Sequence, residues 1–281
     1  MTSAIRQLLV HLDASSRGVA RLQVARQLAQ GHGAALHALY AVTPSFVGVP
    51  YALEGGGNLA VEMQAIDDER RIRARMTFDQ AMKKPGAPTV WSDLTEFPVI
   101  GGFARQALYA DLMVLGQHDF SAREAADVPL DFAEEVIAAS GKPALVIPWV
   151  GAQRDIGATV VIAWKETPQA ARAVAAALPL LQRARRVHVV TWSSALPDNA
   201  VASSPLGLET FLRAHHVEAT WHRYGEEPSH LGELLLSTAF DLDADLLVMG
   251  CYGHSRAREW VLGGMSRTIL QSMTLPVLMA H

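Results

Sequence analysis

Cysteine is almost absent from this sequence, since Cys251 is the only one among 281 residues. A single cysteine excludes disulfide bonds within the chain and fits a reducing compartment. The excess of one sign of charge over the other is also small: the formal net charge is only −4. This gives no electrostatic reason to expect a nucleic-acid partner. Apolar runs stay well below the roughly 18 residues that would span a membrane. We therefore expect a soluble cytoplasmic protein that binds neither nucleic acid nor membrane.

The length and composition indicate two folded domains. A chain of 281 residues exceeds the usual size of one domain, about 100–200 residues. Half of the residues are hydrophobic and 19% are charged, a composition that supports packed cores and argues against disorder. We place the boundary near residue 150, which gives domains at 1–150 and 151–281.

An internal repeat supports this division. Three segments of the first half have counterparts in the second half, in the same order, and duplication of one unit explains this order most simply. The first segment of each half combines an apolar run, a short polar turn and an alanine-rich helix pattern. The paired segments are LLVHLDASSRGVARLQVARQLA from Leu8 and VVIAWKETPQAARAVAAALPLL from Val160, DLMVLGQHD from Asp111 and DLLVMGCYG from Asp245, and KPALVIP from Lys142 and LPVLMAH from Leu275.

Strand patterns alternate with helix patterns within each half. Leu8–Leu12 is almost continuously apolar, as expected for a strand buried on both faces of a parallel sheet. Strands that alternate with helices predict βαβ units and, in each half, a doubly wound parallel α/β sheet of five strands with helices on both faces. The predicted strands are Leu8–Leu12, Ala34–Val42, Thr89–Leu94, Leu112–Leu115 and Ala144–Ile147, then Thr159–Trp164, Val187–Trp192, Glu218–His222, Leu246–Met249 and Pro276–Met279. Predicted helices include Asn58–Lys83, Val99–Ala110, Ala133–Ala139 and Met265–Ser272.

The strongest chemical signal follows the fourth strand of the second half, in GCYGHSRAREWVLGGMSR. Open parallel sheets bind ligands outside the carboxyl ends of their strands. Glycines there let the backbone approach an oxyanion, and the free N–H groups at the start of the next helix attract it. The pattern therefore predicts a phosphate cradle, although a glycine-punctuated loop without a ligand remains the alternative. The residues of this cradle are Gly250, Gly253, His254, Gly263, Gly264, Met265 and Ser266.

The spacing G-x2-G-x9-G before the last helix resembles the ATP-binding motif of the universal stress protein family, and the resemblance extends over both repeats. Gly264 stands where the family usually has Ser or Thr, and Ser266 can supply the hydroxyl instead. The resemblance implies a tandem, UspA-like chain with an adenine nucleotide alpha hydrolase-like fold and the strand order 3-2-1-4-5 in each sheet. It also implies a role in the stress response and a bound adenine nucleotide, with ATP first and ADP or AMP as alternatives.

The two halves differ at the positions that this family uses. Members that bind ATP usually carry an aspartate just after strand one; the first half has Asp13 there, and the second half has Lys165. The first half has lost the cradle, because Asp119 replaces Gly253 and Pro129-Leu130 replace Gly263-Gly264. A carboxylate repels phosphate and proline lacks an N–H donor. We expect a degenerate first domain that does not bind ATP, with Asp13 acting as a turn residue or helix N-cap.

In the second half, we expect adenine between the ends of strands one and two and phosphates at Gly250–Ser266. Trp164 either stacks on adenine or belongs to the core at the strand end, and Lys165 pairs with a phosphate or with Glu166. The base-side residues are Ala163, Trp164, Lys165 and Thr191. No metal ligands are predicted, because the spacing of four histidines lacks a compact ligand signature. These are His215, His216, His222 and His230. No catalytic residues are predicted either.

Three functions stay open from the sequence. The first is nucleotide binding in the second half with a regulatory rather than catalytic role, the second is a scaffold with vestigial sites, and the third is a slow ATP hydrolase. The resemblance also implies that Ala144–Ile147 and Pro276–Met279 pair within the chain as an intramolecular pseudo-dimer, and a homodimer of whole chains is a further possibility. Cys251 is either a reactive thiol or, more simply, a buried one.

Overall fold

A computed structural model describes residues 4–48, 57–119, 127–150, 156–192, 206–251 and 264–281. The chain divides into two compact units, Ile5–Trp149 and Val150–His281. Both are α/β units that alternate strands with helices, as the sequence predicted.

The first unit holds five parallel strands in the order β3-β2-β1-β4-β5. Helix α1 packs against α2, and α3 packs against α4. The elements in chain order are β1 (Gln7–Leu12), α1 (Gly18–His32), β2 (Ala35–Tyr40), a short 3-10 helix (Ser45–Gly48), α2 (Gly57–Met82), β3 (Thr89–Asp93), α3 (Val99–Ala107), β4 (Leu112–Gly116), α4 (Phe132–Ser140) and β5 (Ala144–Ile147).

The second unit repeats this topology, with parallel strands in the order β8-β7-β6-β9-β10. Its elements are β6 (Thr159–Ala163), α5 (Pro168–Leu181), β7 (Arg186–Trp192), α6 (Leu208–Ala214), β8 (Thr220–Tyr224), α7 (Leu231–Asp241), β9 (Leu246–Gly250), α8 (Met265–Ser272) and β10 (Val277–Ala280). Renumbered within each unit, both orders are 3-2-1-4-5, which confirms the predicted fold class.

The central strands explain why the sequence shows continuous apolar runs. Leu8 and Val10 of β1, and Val160 and Ile162 of β6, are fully buried. Their neighbours in the sheet are equally buried on both faces, as helices on both sides of a parallel sheet require. Edge strand β8 is polar and half-exposed, and its start was predicted two residues too early.

One aspartate contact recurs at the start of the first strand in each unit. The Asp111 carboxylate accepts hydrogen bonds from the backbone N–H groups of Arg6 and Gln7. Asp245 does the same for Gly157, Ala158 and Thr159. The two aspartates head the matched segments of the sequence repeat, so the repeat preserves a structural contact and not only a pattern of polarity.

Among the described residues, no helix combines the length and the apolar character needed to cross a bilayer.

Candidate functional site

The strand ends of the second unit bring together residues that are far apart in the sequence. Ala163 ends β6 and lies opposite Met249 of β9 on one side and Val190 of β7 on the other. Gly250 and Thr191 therefore flank the end of β6. Ala163 is buried, whereas Trp164 and Thr191 are half-buried. The structure thus places the predicted base-side residues at the carboxyl ends of β6 and β7, next to Gly250.

The loop between β9 and α8 is only partly described. Gly250 and Cys251 precede it, and Gly264, Met265 and Ser266 follow it. The predicted cradle residues Gly253, His254 and Gly263 lie outside the described residues. Cys251 is 1% exposed, which favours the buried thiol over the reactive one.

Gly250 has a packing role that the sequence did not reveal. A Cβ atom at this position would lie 2.5 Å from the backbone nitrogen of Ala170 and 2.7 Å from the carbonyl carbon of Gln169. Both atoms belong to the first turn of α5, whose Thr167 N-cap accepts a hydrogen bond from the Ala170 N–H. Backbone atoms cannot swing aside as a side chain does, so Gly250 is needed for α5 to pack against β9.

Gly250→Ala is expected to destabilise the protein by about 2–3 kcal/mol, because α5 or β9 must shift to admit the methyl group. Gly225→Ala is the matched control, since nothing lies within 4 Å of a Cβ atom there. That change should alter the free energy of unfolding by less than about 1 kcal/mol. Urea unfolding of both variants measures the difference, and equal effects would contradict the close approach.

The start of α8 suits an anion. Gly264 is its N-cap and supplies no side-chain hydrogen bond, and the first turn contains no acidic residue. Ser266 in this turn is buried, whereas Arg267 is exposed. The positive end of the helix dipole is therefore not offset by a carboxylate of its own first turn. An anion placed there gains from the positive end of the helix dipole.

The matching helix of the first unit, α4, has an acidic start. Asp131 is the N-cap of α4, and Glu134 and Glu135 lie in its first turn. These carboxylates repel an incoming phosphate and already complement the helix dipole.

Lys165 forms an ion pair within the second unit. Its Nζ atom lies 2.7 Å from Oε1 of Glu227, just beyond β8, and the two side chains are 60% and 41% exposed. Its partner is thus Glu227, where the sequence suggested Glu166 or a phosphate. Exposed ion pairs of this kind contribute little to stability.

The equivalent strand-end region of the first unit is filled by its own side chains. Arg21 of α1 places Nη2 2.8 Å from Oδ2 of Asp13, and both side chains are more than nine-tenths buried. A Cβ atom on Gly116, the counterpart of Gly250, would clash with Nη1 of Arg21. The guanidinium therefore lies between the carboxyl ends of β1 and β4.

Asp13 is a turn residue, as the sequence suggested. Its Oδ1 accepts hydrogen bonds from the backbone N–H and the hydroxyl of Ser15, at 2.9 and 2.5 Å. The alternative of a helix N-cap is wrong, because α1 is capped by Arg17 without a side-chain hydrogen bond.

A second ion pair lies in the same strand-end region of the first unit. Nε of Arg17 lies 3.3 Å from Oδ2 of Asp119, which is 5% exposed, and the Arg17 guanidinium also lies over the Trp149 ring at 5.7 Å. Asp119 is the residue that replaces the second cradle glycine. Neither Arg17 nor Arg21 was predicted, although the repeat held a signal: Arg21 aligns with Ala173, which is fully buried in the second unit.

Burial and charge shift the pKa values of three acid–base groups in this region. Burial lowers the pKa of His11 to about 4, and the nearby Arg21 charge adds to this. Burial alone would raise the pKa of Asp13, but the charges of Arg21 and His11 and the hydrogen bonds of Ser15 and Arg21 outweigh it and lower the pKa to about 2. Burial, followed by the Asp13 charge, raises the pKa of Asp127 to about 7. At neutral pH, His11 is therefore neutral and Asp13 is ionised.

The second half of the chain matches a known family in sequence. The model of the universal stress protein family matches residues 158–281, a range that contains all of β6 through β10. No curated protein matches the chain in sequence.

Solved structures extend the likeness to the first half. A universal stress protein from Archaeoglobus fulgidus DSM 4304 matches with a TM-score of 0.67 at 15% identity, covering 97% of this chain and 94% of that chain. A Pseudomonas aeruginosa UCBPP-PA14 protein assigned to the same family gives a TM-score of 0.58 at 16% identity, covering 98% and 92%. A universal stress protein solved in complex with cAMP gives a TM-score of 0.36 at 18% identity, covering 52% and 98%.

At such identities, the first two structures show a shared fold across nearly the whole chain. The sequence match to the family covers residues 158–281, the second half of the chain. The chain therefore contains a universal stress protein domain in its second half, and both halves share the fold of solved universal stress proteins.

Proposed function

We propose that the second unit binds an adenine nucleotide, ATP first and ADP or AMP as alternatives, and that the protein acts in the cytoplasmic stress response through binding rather than catalysis. The observation that carries this proposal is the start of α8. It lies beyond the end of β9 and has no carboxylate in its first turn, whereas α4 of the first unit has two. The glycine spacing from Gly250 to Gly263 supports the same location.

The proposed site has a phosphate side and a base side. Phosphates would lie between the end of β9 and the start of α8, and the base would lie at the ends of β6 and β7. The Lys165–Glu227 pair would border the base side. The phosphate-side residues are Gly250, Gly253, His254, Gly263, Gly264, Met265 and Ser266, and the base-side residues are Ala163, Trp164, Lys165 and Thr191.

We further propose that the first unit binds no nucleotide. The Asp13–Arg21 and Arg17–Asp119 ion pairs occupy its strand-end region, and a ligand would have to separate a buried pair to enter. Separating a buried ion pair costs more free energy than separating an exposed one. One nucleotide per chain is the expected stoichiometry.

Arg267→Glu is expected to weaken ATP binding by about tenfold, because it puts a carboxylate beside the phosphates at the start of α8. Arg267 is exposed, and an acidic residue in the first turn favours the helix, so the fold should be kept. Isothermal titration with ATP measures the effect. Gln271→Glu, exposed in the last turn of α8, is the control and should leave the affinity within about twofold. Equal weakening in both variants would place the phosphates elsewhere.

A further inference from the structure

Two histidines meet on the open edge of the second sheet. His188 of β7 and His222 of the edge strand β8 bring Nδ1 and Nε2 to 3.0 Å. Their rings are 5.2 Å apart and inclined by 48°. The strands are parallel neighbours in which Val190 pairs with His222 and His188 with Thr220. Because the two positions are thirty-four residues apart, no compact sequence signature reveals them, and the pairing register alone creates the cluster.

The pair can be reached from solvent. Both histidines are half-buried, and Thr220 and Tyr224 beside them on β8 are exposed. Alternation along a strand puts His188 and His222 on one face of the sheet, together with Trp192 and Tyr224, whose rings are stacked 5.2 Å apart. The stacked rings keep β7 and β8 in register next to the histidines, so the two imidazoles are held together by the strands that carry them.

The geometry is close to that of two imidazoles on one metal ion. Zinc–nitrogen bonds of about 2.0–2.1 Å at a tetrahedral angle separate the two nitrogens by about 3.3–3.4 Å, so the nitrogens must move apart slightly from 3.0 Å and the rings must turn until both lone pairs face the ion. Without a metal, one nitrogen donates the hydrogen that lies between the rings and the other accepts it. With a metal, the donor ring moves that hydrogen to its other nitrogen, and both lone pairs point at the ion.

The ligand set decides which ion such a site takes. In the described part of the chain, no group of three or more His, Cys, Asp or Glu side chains is placed to hold a metal, so water completes the coordination. Imidazole ligands with water favour zinc, copper and nickel over magnesium or calcium.

We propose that His188 and His222 bind one divalent transition-metal ion, Zn²⁺, Cu²⁺ or Ni²⁺, on the face of β7 and β8 that also carries Trp192 and Tyr224. This site is separate from the proposed nucleotide site and independent of it. The first unit provides a natural comparison, because His37 of β2 stands at the equivalent register while Ser92 of β3 occupies the place of His222. That edge therefore offers one imidazole where the second unit offers two.

The comparison supplies the variants for the test. His222→Ser copies the first unit and should keep the fold, since the equivalent edge strand β3 carries serine at this position. Ser92→His, an exposed position, should create a second pair with His37. His230→Ala removes an exposed histidine outside the pair and serves as the control. Zn²⁺ is titrated calorimetrically into the full chain, and Cu²⁺ is followed by its electron paramagnetic resonance spectrum.

The expected result is one ion per chain with a two-nitrogen Cu²⁺ signal. His222→Ser should weaken binding at least about tenfold and reduce the signal to one nitrogen, whereas His230→Ala should change neither. Ser92→His should raise the stoichiometry to two. The proposal is overturned if folded His222→Ser binds as tightly as the parent chain. It is also overturned if the parent chain gives no two-nitrogen signal, or if folded Ser92→His still binds a single ion.

Discussion

Arg21→Met is expected to destabilise the first unit by about 3–5 kcal/mol. The substitution keeps much of the side-chain volume but removes the guanidinium that pairs with Asp13 at 2.8 Å. It leaves a buried carboxylate whose pKa, about 2 with Arg21 in place, must rise. Burial of an ionised group without a partner is among the few mechanisms by which one substitution has so large an effect.

The double variant Asp13→Asn/Arg21→Met tests the cause. Removing the charge along with its partner should recover part of the loss, because no ionised group is then left buried. Arg105→Met is the control, since its pair with Glu96 is exposed, and it should cost less than about 1 kcal/mol. Urea unfolding of the full chain gives all three values. A double variant less stable than Arg21→Met alone would contradict the ion-pair explanation.

Asp127→Asn is expected to change how stability depends on pH. The pKa of His11 falls from 6.5 to about 4 on folding, so its contribution to stability is present above pH 6.5 and lost as the pH falls towards 4. The pKa of Asp127 rises from 3.8 to about 7, so its contribution is present below pH 3.8 and lost as the pH rises through 7. Between these limits the two contributions oppose each other and nearly cancel in the parent protein.

Asp127→Asn removes the loss of stability that ionisation of Asp127 causes as the pH rises. The stability of Asp127→Asn relative to the parent should therefore rise by about 3 kcal/mol between pH 4.5 and pH 7. Asp131→Asn, at an exposed position, should follow the parent curve. Urea unfolding at a series of pH values provides the measurement. If the difference between Asp127→Asn and the parent is flat over this range, the raised pKa of Asp127 is refuted.

The fold followed from the sequence because its signals are local and repeated. Continuous apolar runs such as Leu8–Leu12 marked the buried central strands, and these strands are fully buried in both units. Gly33 ends α1 as its left-handed C-cap with φ 62°, the position at which glycine is most common. Edge strand β8 was located less well, because its half-exposed residues lack a strong apolar period.

The candidate site followed only in outline. Glycine spacing pointed to the end of β9, but the sequence could not show that Gly250 is also required by the α5 backbone. Nor could it show that Lys165 reaches Glu227, sixty-two residues away. Such contacts join side chains of separate elements, whose approach depends on the tertiary fold and leaves no local pattern. The pairing of Ala144–Ile147 with Pro276–Met279 stays a prediction.

The most direct test of one nucleotide site in the second unit is a calorimetric titration of ATP, ADP and AMP into the purified full chain. The sample must first be freed of bound nucleotide, and Gly263→Asp is the companion variant. We predict one ATP per chain with a dissociation constant of micromolar order, and loss of that binding in Gly263→Asp. Two ATP per chain would contradict the closed first unit. No heat with any nucleotide, in a folded sample, would contradict nucleotide binding itself.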